Sequence, residues 1–194
     1  MKIHLSAAFV ALLFAANLSA QKHVNLGVKA GFNLYTIQNN NGVKYDLNPG
    51  FHAGLLGHIH VSKNFAVQPE VFYSTQGARY TAASVTTKLN LSYVNVPLLL
   101  QYMFDNGFRL QAGPQVGFLI TANADNSTTK TDVKAFYKPI DVAVAMGLGY
   151  IHVPSGWGID ARYHLGVNNI NDNSNVKSAN RGFQLGVFYQ FKHQ

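Results

Sequence analysis

WGIDARYHLGVN, residues 157–168, separates into two chemically distinct sets when its positions are taken alternately. Trp157, Ile159, Ala161, Tyr163, Leu165 and Val167 are apolar or aromatic. Gly158, Asp160, Arg162, His164, Gly166 and Asn168 are charged, polar or glycine. A period of two held this long belongs to a β-strand whose two faces meet different media. A strand face turned to bulk water favours Thr, Lys or Glu and gains nothing from glycine. Glycine set among an Asp, an Arg and a His describes a polar face that is also crowded. The inside of a narrow barrel is such a place, and lipid outside would account for the apolar face.

The same pattern recurs along the chain. In 24–37, Val24, Leu26, Val28, Ala30, Phe32 and Leu34 oppose Asn25, Gly27, Lys29, Gly31, Asn33 and Tyr35. In 50–61, Phe51, Ala53, Leu55 and Ile59 oppose His52, Gly54, His58 and His60, with Gly57 an exception on the apolar side. Segments 65–80, 108–122, 139–153 and 180–192 alternate likewise, the last through Phe183, Leu185, Val187, Tyr189 and Phe191. Segment 88–104 changes phase. Leu89, Leu91 and Tyr93 share one parity, while Val94, Val96, Leu98, Leu100 and Tyr102 share the other. A β-bulge between Tyr93 and Pro97 is expected to reconcile them, with Pro97 suiting a site that lacks a ladder donor.

These segments predict an all-β fold: a transmembrane antiparallel up-and-down β-barrel of about eight strands. The connections 38–49, 81–87, 123–138 and 169–179 read as long and polar. Those at 62–64, 105–107 and 154–156 read as tight turns, Asp105-Asn106-Gly107 being a strong hairpin signal. Alternation of long loops with short turns is the asymmetry of outer-membrane barrels, and each segment exceeds the roughly 9–11 tilted residues needed to cross a bilayer. A soluble lipocalin-like barrel would reverse the faces, apolar inside and polar outside. Placement of the glycines on the polar face argues against it, as do large aromatics at the ends of the apolar one.

Composition bounds the rest. Residues 1–20 carry Lys2, an apolar run from Leu5 to Ala16, and small residues before Gln21. That pattern predicts a secretory signal peptide cleaved after Ala20, leaving 21–194 as a single barrel domain in the cell outer membrane. The chain contains no cysteine, which removes disulfides, thiol catalysis and a lipid-anchored N-terminus together. The formal charge of +7 becomes +6 once Lys2 is lost, with no basic run or basic helix. Nucleic acid is therefore not an expected partner.

Three stretches resemble the porin-like, PorT-type outer-membrane β-barrel family. They are Tyr93-Val94-Asn95-Val96-Pro97-Leu98-Leu99-Leu100, Gly113-Pro114-Gln115-Val116-Gly117-Phe118-Leu119, and Ala161-Arg162-Tyr163-His164-Leu165-Gly166-Val167-Asn168-Asn169-Ile170. The resemblance runs from about Gln21 to the end. It implies the barrel fold, outer-membrane residence and a link to protein secretion. The aromatic alternation ending at Phe191 also resembles the signal read by the barrel-assembly machinery, with Lys192, His193 and Gln194 extending beyond it.

An eight-stranded barrel is just wide enough to be filled by its own side chains. Lys29, Arg109, Arg162, Glu70, Asp141, Asp160 and the inward glutamines therefore read as one internal network of ion pairs and hydrogen bonds. His52, His58 and His60 share the inward face, but a zinc site needs three or four converging ligands, so no metal and no cofactor is expected. A lipid-modifying enzyme would need Ser, His and a carboxylate near the outer-leaflet end. His164 lies at mid-strand, His152 at the opposite end, and the long loops hold serines without histidine, so no catalytic residue is assigned. Asn90-Leu91-Ser92 and Asn126-Ser127-Thr128 match a glycosylation pattern short enough to arise by chance. The expected role is a non-enzymatic scaffold or secretion-related accessory. Its expected partners are outer-membrane lipids, the assembly machinery and a surface partner met through 38–49, 123–138 and 169–179. A small porin-like channel is the alternative.

Overall fold

The computed structural model describes residues 24–191 apart from positions 41, 83, 127 and 174. The expected signal peptide and the tail 192–194 lie outside the described residues. The strands are β1 (Val24–Asn39), β2 (Asp46–His60), β3 (Phe65–Ala82), β4 (Val85–Met103), β5 (Phe108–Asp125), β6 (Lys130–Asp132), β7 (Ile140–His152), β8 (Trp157–Gly166) and β9 (Ser178–Gln190). All pairings are antiparallel. They run β4-β3-β2-β1-β9-β8-β7-β5, and a β4–β5 ladder closes the ring. Eight strands thus form an up-and-down barrel without an open edge, and closure removes the unpaired backbone groups that lipid could not satisfy. β6 is a short addition on the outer end of β5, pairing with Asn123–Asp125.

Burial follows the alternation read from the sequence. Phe32, Leu55, Leu185 and Trp157 face outward and are 76%, 63%, 62% and 59% exposed. Lys29, Asn33, His52, Glu70, Asp160 and Arg162 face inward and are buried. Rings gather at the two ends of the apolar band. Phe65, Tyr102, Phe104 and Phe108 form a chain of edge contacts near the short turns, where Trp157 also leans on Tyr189 and Tyr189 meets Phe191 edge-on. Phe51–Tyr73 and Tyr163–Phe183 pair nearer the other end.

The phase change in β4 resolves differently from the expectation. β4 keeps one parity throughout, with positions 89, 91, 93, 95, 97, 99 and 101 all buried. Its register with β3 is unbroken. The irregularity lies on the other neighbour, where Ser92 pairs with Thr121 and Tyr93 with Leu119, leaving Ile120 of β5 as the extra residue. Leu89, Leu91 and Tyr93 therefore point into the barrel. With Ile37, Ala78, Leu119, Ala122 and Ile170 they make an apolar plug at the long-loop end. The interior changes character along its axis while the strand does not change face.

The connections need a second correction. Turns 61–64, 104–107 and 153–156 lie at one end, as expected. At the other end, 81–87 is not a long loop: β3 and β4 continue until only 83–84 join them, with Ser84 at a positive φ of 66°. The remaining outer connections are 40–45, 126–139 and 167–177, each shorter or more structured than the polar composition suggested. β8 stops at Gly166, and Asn168 takes over the ladder with its side chain. Its Oδ1 accepts from the Val142 N–H at 2.8 Å and its Nδ2 donates to the Ile140 carbonyl at 2.9 Å.

Candidate functional site

The inward face at mid-barrel holds a four-residue charge cluster. Glu70 on β3 receives both Nη1 and Nη2 of Arg162 on β8, each at 2.7 Å, in a bidentate pair. In the order β3-β2-β1-β9-β8, these strands stand on opposite sides of the eight-stranded ring. Lys29 on β1 donates to Glu70 at 3.0 Å, and Asp160 accepts from Arg162 at 2.8 Å. Gln68 Nε2 adds a donor to Glu70 Oε1 at 2.7 Å. Lys29, Arg162 and Glu70 side chains are at most 1% exposed. Two positive and two negative charges in this geometry neutralise one another and satisfy most donors, the condition under which buried charge is tolerated.

The six charged residues expected to form one network divide into three groups. Arg109 stands apart near the short turns, its guanidinium over the Phe188 ring at 4.2 Å and Nη1 donating to Gln101 Oε1 at 3.4 Å. Asp141 stands apart toward the other end, where it accepts from Asn180 Nδ2 at 2.8 Å. A second layer of neutral bonds links Asn33, His52 and Ser74: Asn33 Nδ2 donates to Ser74 Oγ at 2.9 Å, and His52 Nδ1 lies 2.7 Å from Asn33 Oδ1.

The histidines do not converge. His58 and His60 stack edge-on with ring centroids 4.6 Å apart, His52 bonds Asn33, and His164 lies beside Tyr35 at 6.0 Å. Among the described residues no three His, Asp or Glu side chains gather as a metal would require. A serine and a histidine do meet at the short-turn end, where Ser155 Oγ is 2.9 Å from His152 Nδ1. The same hydroxyl donates to the His152 carbonyl at 3.2 Å. That places it as a turn cap on an exposed hairpin.

Two features were not visible in the sequence alone. One is the apolar plug, to which β4 brings Leu89, Leu91 and Tyr93 on its unbroken inward parity and the β5 bulge at Ile120 brings Ala122. The other is a pair of cavities of about 640 Å³ at the two mouths. The long-loop cavity is lined by Tyr45, Tyr80, Phe136 and Tyr137 with Lys44. The short-turn cavity is lined by His58, His60, Lys63, Arg109 and Gln190.

A sequence model of the outer membrane protein beta-barrel domain matches residues 15–172. The chain belongs to that family. Among curated proteins its sequence finds no match. In structure it is similar to Neisserial surface protein A (NspA), with TM-score 0.58 and 16% identity over 86% of this chain and 97% of that one. It is also similar to Ail, the attachment invasion locus protein of Yersinia pestis, with TM-score 0.55 and 16% identity over 88% of this chain and 100% of that one. Identities this low show a shared fold. Family and fold together place this barrel in the cell outer membrane. The short turns are then periplasmic and the longer connections extracellular, as in outer-membrane barrels generally.

Proposed function

We propose that this family member is a closed, non-enzymatic scaffold that presents an extracellular surface to a partner, as an anchor or as an accessory to envelope transport. The observation that carries this reading is the Glu70–Arg162 pair, braced by Lys29 and Asp160, spanning the interior at mid-height. A continuous aqueous path would have to pass side chains that are almost wholly buried. The extracellular connections 40–45, 83–84, 126–139 and 167–177 carry Lys44, Lys130, Lys134, Lys138 and Lys177 against Asp132 and Asp172, a balance of +5 − 2 = +3. A partner with anionic groups suits that surface. The PorT-type resemblance supports the accessory form of the role. Outer-membrane lipids would surround the apolar band, and the aromatic alternation of β9 would serve the assembly machinery.

Single-channel recording of the refolded protein in planar bilayers tests this. Electrical silence, with heat-modifiable gel migration confirming a folded barrel, is the expected result. Steady ion-selective steps would overturn it and favour the small porin-like channel.

A further inference from the structure

Arg109 is the one inward cation in the described barrel that meets no carboxylate within 4.0 Å; Lys29 and Arg162 are both paired. It is 2% exposed, and its Nε finds no acceptor. Phe188 covers one face of the guanidinium, which fixes its plane without neutralising its charge. The side chain forms part of the periplasmic cavity of about 640 Å³, within the range of small-molecule sites.

Among the described residues, one more buried donor borders the same cavity without a partner. It is Gln190 Nε2, on the β9 face that carries Phe188; His58, also in the lining, is hydrogen-bonded to the side chains of Gln68 and Gln101. Among the described residues of the lining the only carboxylate, Asp105, lies at the exposed rim beside Lys63 at 3.6 Å. Buried polar groups ordinarily have partners, and two donors without acceptors beside one cavity form a pair that lacks an acceptor. A guanidinium among them repels cations, so the missing group is an anion with several acceptor oxygens.

We infer that the periplasmic mouth of the barrel is a binding site for an oxyanion, a phosphate or carboxylate group. Arg109 supplies the charge, and Gln190 supplies a neutral hydrogen bond. The site is independent of the extracellular surface proposed above, and the two readings fail separately.

The test follows the Arg109 Nε–Hε cross-peak by NMR, with the refolded full chain in micelles titrated with inorganic phosphate, sodium acetate or sodium chloride at matched ionic strength. The expected result is a saturable shift with phosphate, acetate or both, and only a linear drift with chloride. Saturation by phosphate alone assigns a phosphate-bearing ligand; saturation by acetate alone assigns a carboxylate-bearing one. Arg109→Gln removes the reporter, so backbone amides around Gln190 are followed in that variant, where saturation should vanish. Gln190→Leu leaves Arg109 in place and guards against misfolding of the first variant. It should weaken binding about tenfold, the scale of one hydrogen bond to a charged group. Equal response to chloride, or unchanged saturation in both variants, would overturn the site.

Discussion

Arg162 is the residue on which the interior depends most. It joins Glu70 through two bonds and Asp160 through a third, all buried. Arg162→Ala would leave two carboxylates, Glu70 and Asp160, with Lys29 as their one cation, and breaking a buried pair costs about 3–5 kcal/mol. Denaturant unfolding in lipid vesicles should show a loss of that size, while bilayer recordings of the variant remain nearly silent. Unchanged unfolding with a large gain in conductance would contradict both the packing and the closed-scaffold reading. Removing both partners should be milder. Glu70→Leu with Arg162→Met leaves Lys29 and Asp160, already 3.9 Å apart, as a neutral pair. The double variant is expected to lose less than the sum of the single losses, measured as a double-mutant cycle. The sequence showed that these charges share an inward face, since each lies on the polar parity of its strand. It did not show which would meet, because the distances depend on how strands far apart in the chain face one another across the ring.

β8 and β9 show why the strand pattern includes glycine. A Cβ placed at Gly158 would overlap the ring of Phe188, the neighbour on β9 with which it pairs. Gly158→Ala should therefore cost about 1–3 kcal/mol through overpacking, and Phe188→Leu should recover part of that in the double variant. Unfolding midpoints of the four proteins, read by gel migration, decide it. Equal midpoints for wild type and Gly158→Ala would mean that the ring moves aside freely. At this scale most of the architecture was legible: alternation located all eight barrel strands, and turns at 62–64, 105–107 and 154–156 were apparent from their composition. The phase change in β4 reads as a bulge in that strand, yet β4 keeps its face and its residues 89–93 turn apolar because they fill the plug, while the irregular residue is Ile120 on β5. A bulge belongs to a pair of strands, and one strand's hydrophobic pattern cannot say which partner carries it. Likewise 81–87 lacks strong apolar alternation, but Thr81 pairs with Thr86 across a narrow hairpin whose hydroxyls lie 2.9 Å apart. The three histidines of β2 lie on the face their parity indicates, yet the structure sets His52 against Asn33 and stacks His58 on His60.

For the whole molecule, Trp157 is a built-in probe. It is the only tryptophan in the chain and stands 59% exposed on the outer wall near the periplasmic turns. Insertion into bilayers should blue-shift its emission. Quenching should be stronger from lipids brominated near the headgroup than from those brominated at the chain ends, because indole prefers the interface. Emission unmoved by lipid, or quenched best at the bilayer centre, would misplace the apolar band. The bidentate bond from β3 to β8 has a mechanical meaning as well. Backbone ladders resist stretching around the circumference of a tube but do little against flattening, which changes its shape while keeping its perimeter. A bond across the diameter resists flattening directly. Glu70 and Arg162 act as a strut, holding the cross-section round under lateral pressure from the membrane.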